Sequence, residues 1–272
     1  MKIAISNIAW HSQEEEKISN ILQELGINGV EIAPTKIWQS PLSAIDSEIF
    51  DYRKWWENKG IEIVAMQALL FGKPELTIFE SLEKRRQTLE YLSRMIVLAS
   101  KLGVKSLVFG SPKNRNIENK DKQEVQKIAI SFFHSLGEFA KQNNVFFCIE
   151  PNPLDYGCNF VTTSKEGLEL VNQVQSEGFR LHLDAAGMTL SNENVESSIE
   201  VAFKQLCHFH ISEPYLAQIG MGKVQHHLFD KTLARLGYKG WTSIEMKAQS
   251  SDSNLESVTK ALQVALSFYA RS

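Results

Sequence analysis

Short apolar segments alternate with longer amphipathic segments along the whole of this 272-residue chain. The apolar segments are rich in β-branched and aromatic residues, which is typical of buried strands. The amphipathic segments between them, such as EEEKISNILQELG and SLEKRRQTLEYLSRMIVLASKLG, have the 3.6-residue period of helices. Eight strands are predicted, at residues 2–6, 29–33, 61–67, 106–110, 145–150, 179–184, 206–211 and 241–246.

This alternation predicts an α/β fold in which residues 1–272 form a single domain, a (β/α)8 TIM barrel with eight parallel strands. Several amphipathic segments end in a glycine of the helix C-cap type shortly before the next strand: Gly26, Gly60, Gly103, Gly178 and Gly237. A doubly wound open sheet is the structural alternative. It would need a GxGxxG turn after the first strand, where this chain has SNIAWHS.

The composition is that of a soluble globular protein, with 43% hydrophobic and 22% charged residues. A net charge of −3 provides no overall basic field for nucleic acid. Three cysteines without CxxC spacing are typical of reduced thiols in a cytoplasm. Neither a signal peptide nor a membrane-spanning segment is recognisable. We therefore expect a cytoplasmic protein with no nucleic-acid or membrane partner.

Four residues of metal-ligand type end the last four predicted strands. FFCIE ends at Glu150, RLHLD at Asp184, CHFH at His210 and TSIE at Glu245. In a parallel barrel the C-terminal strand ends meet at one face, where catalytic residues lie. A buried carboxylate is costly unless it is paired or binds a metal. The four residues therefore predict one divalent cation (Mn²⁺, Mg²⁺, Co²⁺ or Zn²⁺), although each could instead be an exposed loop residue.

Further residues near the strand ends are candidates for contacts to a substrate. Strand alternation places His182 and His208 on the same inward face as Asp184 and His210, one layer below the cation. The predicted substrate-binding residues are Glu31, Gln67, His182, Glu213 and Lys247.

Other residues of the predicted loops each allow two interpretations. Lys113 and Arg115 follow the fourth strand and are expected to be solvated, with binding of a phosphate or carboxylate as the alternative. A plain loop position is the alternative for Glu31, and a position outside the barrel is the alternative for Lys247. Three loop aromatics either form an apolar wall over a bound ligand or pack the loops onto the barrel: Trp10, Trp38 and Phe71.

The strand-end motifs GVEIAPT, SLVFGSPKN, CIEPNP, LHLDAAG, HFHISEP and SIEM resemble those of the xylose isomerase-like sugar isomerases and epimerases. The resemblance covers nearly the whole chain and is strongest between residues 145 and 246. It implies a TIM barrel whose metal ligands are Glu150, Asp184, His210 and Glu245. It also implies an enzyme of carbohydrate metabolism for a small sugar or polyol, phosphorylated or not. In the family's ketohexose 3-epimerases, the equivalents of Glu150 and Glu245 accept and donate a proton on opposite faces of the sugar.

Two positions depart from the pattern of those ketohexose 3-epimerases. They have a histidine three residues after the aspartate ligand, where this chain has Gly187. They also have an arginine shortly after the histidine ligand, where this chain reads EPYLAQ. Both family residues contact substrate oxygens, so the resemblance points less clearly to an enzyme for free ketohexoses.

The implied reaction is epimerisation or aldose–ketose isomerisation of a ketose or related hydroxyketone through an enediolate. Three alternative functions stay open on the same barrel. An inosose-type dehydratase would form the same enediolate and expel a β-hydroxyl group. A nuclease resembling the AP endonucleases would need three zinc ions and additional histidines on strands three and four, which read AMQALLFG and FGSPKN. A non-catalytic sugar-binding barrel would be favoured if one ligand were missing from the site. The sequence also leaves open whether the protein is a homo-oligomer.

Overall fold

The computed structural model describes residues 1–220, 222–249 and 253–270, and within them eight parallel strands close into a barrel. Each strand pairs with its neighbours in sequence, and β8 pairs with β1. The predicted (β/α)8 fold is therefore confirmed. The strands are β1 (Lys2–Ser6), β2 (Gly29–Ile32), β3 (Glu62–Met66), β4 (Ser106–Phe109), β5 (Phe146–Ile149), β6 (Phe179–Asp184), β7 (Leu206–Ser212) and β8 (Trp241–Glu245).

Helices follow every strand and cover the outside of the barrel. Two of them, α6 and α7, lie between β6 and β7, and the short α6 begins directly at the end of β6. The helices are α1 (Glu15–Glu24), α2 (Asp46–Glu57), α3 (Leu82–Leu102), α4 (Lys122–Gln142), α5 (Ser164–Val174), α6 (Ala185–Leu190), α7 (Val195–Ala202), α8 (His226–Arg235) and α9 (Leu255–Tyr269). None of the helices in the described ranges combines the length and apolar character needed to cross a bilayer.

The predicted helix ends are mostly the observed ones. Ser81 caps α3 through its side chain, and Gly103 ends it with a left-handed φ of 80°. The prediction that Gly178 is a helix C-cap is wrong, because Gln175 takes the left-handed conformation after α5. A side chain at Gly178 would overlap the carbonyl oxygen of Gly137 in α4, so this glycine permits a close approach of two backbones.

An aromatic layer between the strands and α4 fixes which strand residues face the barrel axis. Phe133 of α4 lies 5.0 Å from Phe179 of β6 and 5.9 Å from Phe109 of β4, measured between ring centroids. Burial of each ring contributes about 1.5–3 kcal/mol. Since strand side chains alternate, the residues between these outward aromatics turn inward. Cys148 and His182 are buried inside the barrel in this way.

The N-terminal end of the barrel is filled by small apolar residues and one indole. Ala4, Val64 and Ala65 form a separate buried cluster, against which Trp241 packs at the start of β8. This packing leaves the polar functional groups to the opposite, C-terminal end, as in other TIM barrels.

Candidate metal centre

The structure brings the four predicted ligands together at the C-terminal end of the barrel. Glu150 directly follows β5, Asp184 and Glu245 end β6 and β8, and His210 lies near the end of β7. One potential ligand atom from each residue lies within 4.8 Å of the others. A single cation could therefore contact all four side chains.

The glycine after β4 makes room for the Glu150 side chain. A Cβ atom at Gly110 would overlap the Glu150 carboxylate. Arg115 holds the end of β5, because its Nη2 donates hydrogen bonds of 2.8 Å to the Glu150 carbonyl oxygen and to Asn152 Oδ1. The prediction that Arg115 is solvated is wrong, since its side chain is fully buried and takes its partners from the loop after β5.

Glu31 fixes the orientation of His210 from the side away from the cavity. Its buried carboxylate lies 3.1 Å from Nε2 of His210 and 3.2 Å from Nε2 of His208. This contact assigns a proton to Nε2 of His210 and directs Nδ1 toward the other ligands. Nδ1 lies 3.4 Å from Glu245 Oε2 and 3.9 Å from Glu150 Oε1. A carboxylate behind a ligating imidazole commonly sets its tautomer and basicity.

Two hydrogen bonds orient the carboxylate of Asp184. Oδ1 accepts the backbone N–H of Gly187 at 2.5 Å, so Asp184 also caps α6. Oδ2 accepts the hydroxyl of Ser212, the last residue of β7. The ligand is therefore held by its own helix and by the neighbouring strand.

The buried acidic groups of the centre hold protons unusually tightly. Burial, together with the charge of Glu245, raises the pKa of Glu150 to about 8 and that of Asp184 to about 6. Burial alone would lower the pKa of His210, but the carboxylates of Glu31 and Glu245 raise it well above its usual value. Crowded carboxylates of this kind are stabilised by a cation. Three carboxylates and one imidazole are a donor set that fits Mn²⁺, Mg²⁺, Co²⁺ or Zn²⁺.

Two further histidines form a layer beneath the centre. The ring centroids of His182 and His208 lie 4.1 Å and 5.4 Å from that of His210. These three imidazoles could also approach one ion. However, Nε2 of His208 and of His210 both face Glu31, and burial followed by the charge of His210 lowers the pKa of His182 well below its usual value. The oxygen-rich group above them is therefore the better metal site.

The predicted substrate-binding residues fall in different places. Glu31 and His182 are buried behind and beneath the ligands, and Gln67 donates a hydrogen bond to Ser6 inside the barrel. Glu213 is buried at the cavity wall, where Oε2 accepts the backbone N–H of Val224 at 3.2 Å. Lys247 is exposed after β8 and does not line the cavity.

A cavity of about 380 Å³ lies over the centre, with Glu150, Asp184 and Glu245 in its wall. Tyr156 and Tyr215 cover one side of it. The Tyr156 hydroxyl accepts the backbone N–H of Tyr215 at 3.0 Å, and the two rings meet edge to face. Neither tyrosine is among the sequence candidates, and the only signal for them is their position a few residues after CIEPNP and HFHIS.

One curated relative is the L-ribulose 3-epimerase of Methylomonas sp. (strain DH-1), which is 29% identical over 90 residues. The match covers 33% of this chain and 32% of the relative. The chain is thus aligned with about a third of the length of that protein.

Two solved structures share the fold over almost the entire chain. A D-psicose 3-epimerase, crystallised in the presence of D-fructose, superimposes with a TM-score of 0.82 at 18% identity and covers 99% of both chains. The IOLI protein, crystallised with a zinc atom, has a TM-score of 0.79 at 17% identity over 100% of this chain and 99% of the other. At these identities the similarity shows the fold.

The sequence also matches a family model described as the xylose isomerase-like TIM barrel, over residues 20–268. This range contains all four residues of the candidate centre and seven of the eight strands. The chain therefore belongs to the xylose isomerase-like TIM barrel family.

Proposed function

We propose that the protein is a divalent-metal-dependent isomerase or epimerase for a ketose or related hydroxyketone, phosphorylated or not. The observation that carries the proposal is that Glu150 and Glu245 line one cavity beside Asp184 and His210. The names of the relatives, an L-ribulose 3-epimerase and a D-psicose 3-epimerase, support a ketose as substrate.

The metal would be held by Glu150, Asp184, Nδ1 of His210 and Glu245. When bound, a divalent cation would polarise the substrate carbonyl and stabilise negative charge that develops beside it. Glu31 keeps Nδ1 of His210 directed toward the centre, while Ser212 and Gly187 keep the Asp184 carboxylate in place. Such supporting contacts hold the reacting groups in a narrow range of geometry.

Proton transfer is the role of Glu150 and Glu245. One carboxylate removes the proton from the carbon beside the carbonyl, which gives an enediolate, and the other, in its acid form, returns a proton. Return to the opposite face of the same carbon inverts that centre, whereas return to the adjacent carbon interconverts ketose and aldose. Because β5 and β8 are separated by β6 and β7, the two carboxylates can flank a substrate held between them.

The test is turnover of ketopentoses, ketohexoses and their phosphates by Mn²⁺-loaded protein in D₂O. We expect solvent deuterium at the carbon beside the carbonyl of the product. Glu150→Gln and Glu245→Gln should each lower kcat by roughly 10²–10⁴-fold, since each removes a proton-transfer group. Glu24→Gln is the matched control, because Glu24 is exposed on α1 and should not affect turnover.

Other products would identify the alternative functions. Loss of water from an inosose would indicate a dehydratase, and Glu150-dependent nicking of an abasic duplex would indicate a phosphodiesterase. Complete retention of the substrate hydrogen would exclude the proton-transfer mechanism. In the described part of the chain, the residues grouped to hold a metal all belong to β5–β8 or their ends, which favours the isomerase over a trinuclear zinc nuclease.

A further inference from the structure

A second and larger cavity of about 700 Å³ adjoins the cavity over the metal centre. Ser111, Pro112 and Leu216 belong to the walls of both. The remaining walls of the second cavity come from the loops after β3 and β4. The two cavities therefore meet at these three residues, which a ligand occupying both would contact.

The walls of the second cavity are mainly apolar, with an aromatic ring exposed among them. Leu70, Phe71 and Pro74 from the loop after β3 line it together with Pro112 and Leu216. Phe71 is 71% exposed, although a ring of this size is normally buried. An exposed ring in a largely apolar, concave wall is typical of small-molecule sites, where aromatic side chains supply most of the contact.

Strained backbone occurs on the walls of both cavities. Ala68, Ser111, Tyr215 and Leu216 have φ values of 55°, 45°, 62° and 58°. The left-handed region is unfavourable for residues with a side chain, and such strain tends to accumulate at ligand-binding loops. Ser111 and Leu216 belong to both walls, whereas Ala68 lines only the second cavity and Tyr215 only the first.

Two lysines at the rim of the second cavity carry its positive charge. Lys73 lies 3.9 Å from Glu75, which partly offsets its charge, and Lys113 is exposed beside the junction. Asn114 directs its side-chain amide to the carbonyl oxygens of Lys73 and Leu76 and so serves the loop. The interior of the cavity therefore suits a ring more than a phosphate group.

We propose that the second cavity binds a second ring of the substrate, so that the preferred substrate is a ketose carrying a glycosyl group at the end remote from the reacting carbons. This inference rests on the proposed function, because the reacting end must occupy the metal centre. The ketose portion fills the 380 Å³ cavity, and the glycosyl ring stacks on Phe71 beyond Leu216.

The test compares three sugars that share the same reacting carbons. They are D-fructose, D-fructose 6-phosphate and isomaltulose, which is D-fructose with a glucosyl group on its 6-hydroxyl. With Mn²⁺-loaded protein we expect kcat/KM for isomaltulose to exceed that for fructose at least about tenfold. Phe71→Ala should reduce the isomaltulose value about 2- to 10-fold and leave the fructose value within about twofold.

A matched control variant shows whether the effect of Phe71→Ala is specific to the second cavity or follows from removing any exposed aromatic ring. Phe50 is 56% exposed on α2, so Phe50→Ala should change neither value. Equal values for isomaltulose and fructose in the wild-type protein would overturn the proposal. A preference for fructose 6-phosphate that is lost in Lys113→Met would also overturn it, in favour of a phosphate site.

Binding distinguishes failure of this inference from failure of the proposed function. If none of the three sugars is turned over, the proposed function fails and the second cavity is assessed by titration calorimetry. Tighter binding of isomaltulose than of fructose, lost in Phe71→Ala, would support the second-ring site. Equal binding would overturn it.

Discussion

The two halves of the barrel have the same architecture but contribute differently to the candidate centre. All four candidate ligands belong to β5–β8 or follow them directly, whereas the half from β1 to α4 contributes residues that support them. Glu31 stands behind His210, Gly110 makes room for Glu150, and Arg115 holds the end of β5. A strand end places each candidate ligand, while its orientation depends on further contacts. Glu31 is far from His210 in sequence, whereas Gly187 is close to Asp184.

Barrel closure makes this division possible. Glu31 and His210 are 179 residues apart, yet their side chains form a buried hydrogen bond of 3.1 Å. β8 pairs with both β1 and β7, so the first and last strands enclose one polar interior. We therefore expect changes in the second half to abolish metal binding at the candidate centre, whereas changes in the first half should weaken that binding or destabilise the surroundings of the centre.

Removal of a ligand in the second half should have the largest effect. His210→Ala should abolish measurable Mn²⁺ binding in titration calorimetry and lower kcat by at least roughly 10²-fold, because the nitrogen donor of the candidate centre is lost. His227→Ala is the control, since His227 is exposed on α8. Undiminished Mn²⁺ binding by a folded His210→Ala protein would contradict the assignment of ligands to the second half.

Removal of the Glu31 carboxylate, which supports His210 from the first half, should have a smaller effect on metal binding. Glu31→Gln keeps an acceptor near His210 but loses the charge that makes the imidazole more basic, so Mn²⁺ affinity should fall about 10- to 100-fold. Glu62→Gln, at an exposed position of β3, should leave the affinity unchanged. Wild-type affinity in Glu31→Gln would mean that the first half provides packing alone.

The contribution of Arg115 at the end of β5 should be seen mainly in the free energy of unfolding. Arg115→Met removes the two buried hydrogen bonds to Glu150 and Asn152, so the free energy of unfolding should fall by about 1.5–3 kcal/mol in urea denaturation. Lys113→Met changes an exposed residue of the same loop and should stay within about 0.5 kcal/mol. Equal stabilities of the two variants would show that Arg115 does not hold the β5 end.

A pH dependence should also be measurable in the metal-free protein. The pKa of Glu150 is raised to about 8 in the folded state from an ordinary value of 4.5, so the folded state binds this proton more tightly. The stabilisation is complete below pH 4.5 and is lost as the pH rises through about 8. Between pH 6 and 9, we therefore expect the Tm of the wild type to fall more steeply than that of Glu150→Gln.

Saturation with Mn²⁺ provides the control for this last prediction. A bound cation favours the deprotonated carboxylate, so the difference in pH dependence between the two proteins should shrink. Parallel Tm profiles of the two metal-free proteins would contradict the raised pKa of Glu150.

The strands were accessible from sequence because a buried parallel strand produces a continuous apolar run. The predicted segments 2–6 and 179–184 coincide with β1 and β6, and the other six end within one residue of the observed strands. The candidate ligands were also accessible, because each is a polar residue that closes such a run. The burial of Arg115 could not be predicted, because a charged residue in a loop gives no local sign that partners from another loop will bury it.

The sequence by itself determined the barrel class, the order of its elements and the four residue types at the ends of the last four strands, since these follow from local periodicity. Only the tertiary structure decided which partners those residues have. The contact between Glu31 and His210, the burial of Arg115 and the shared wall of the two cavities depend on side chains from distant segments. Hydrogen bonding, burial and cavity shape are properties of neighbours in space, and a linear pattern records only neighbours in sequence.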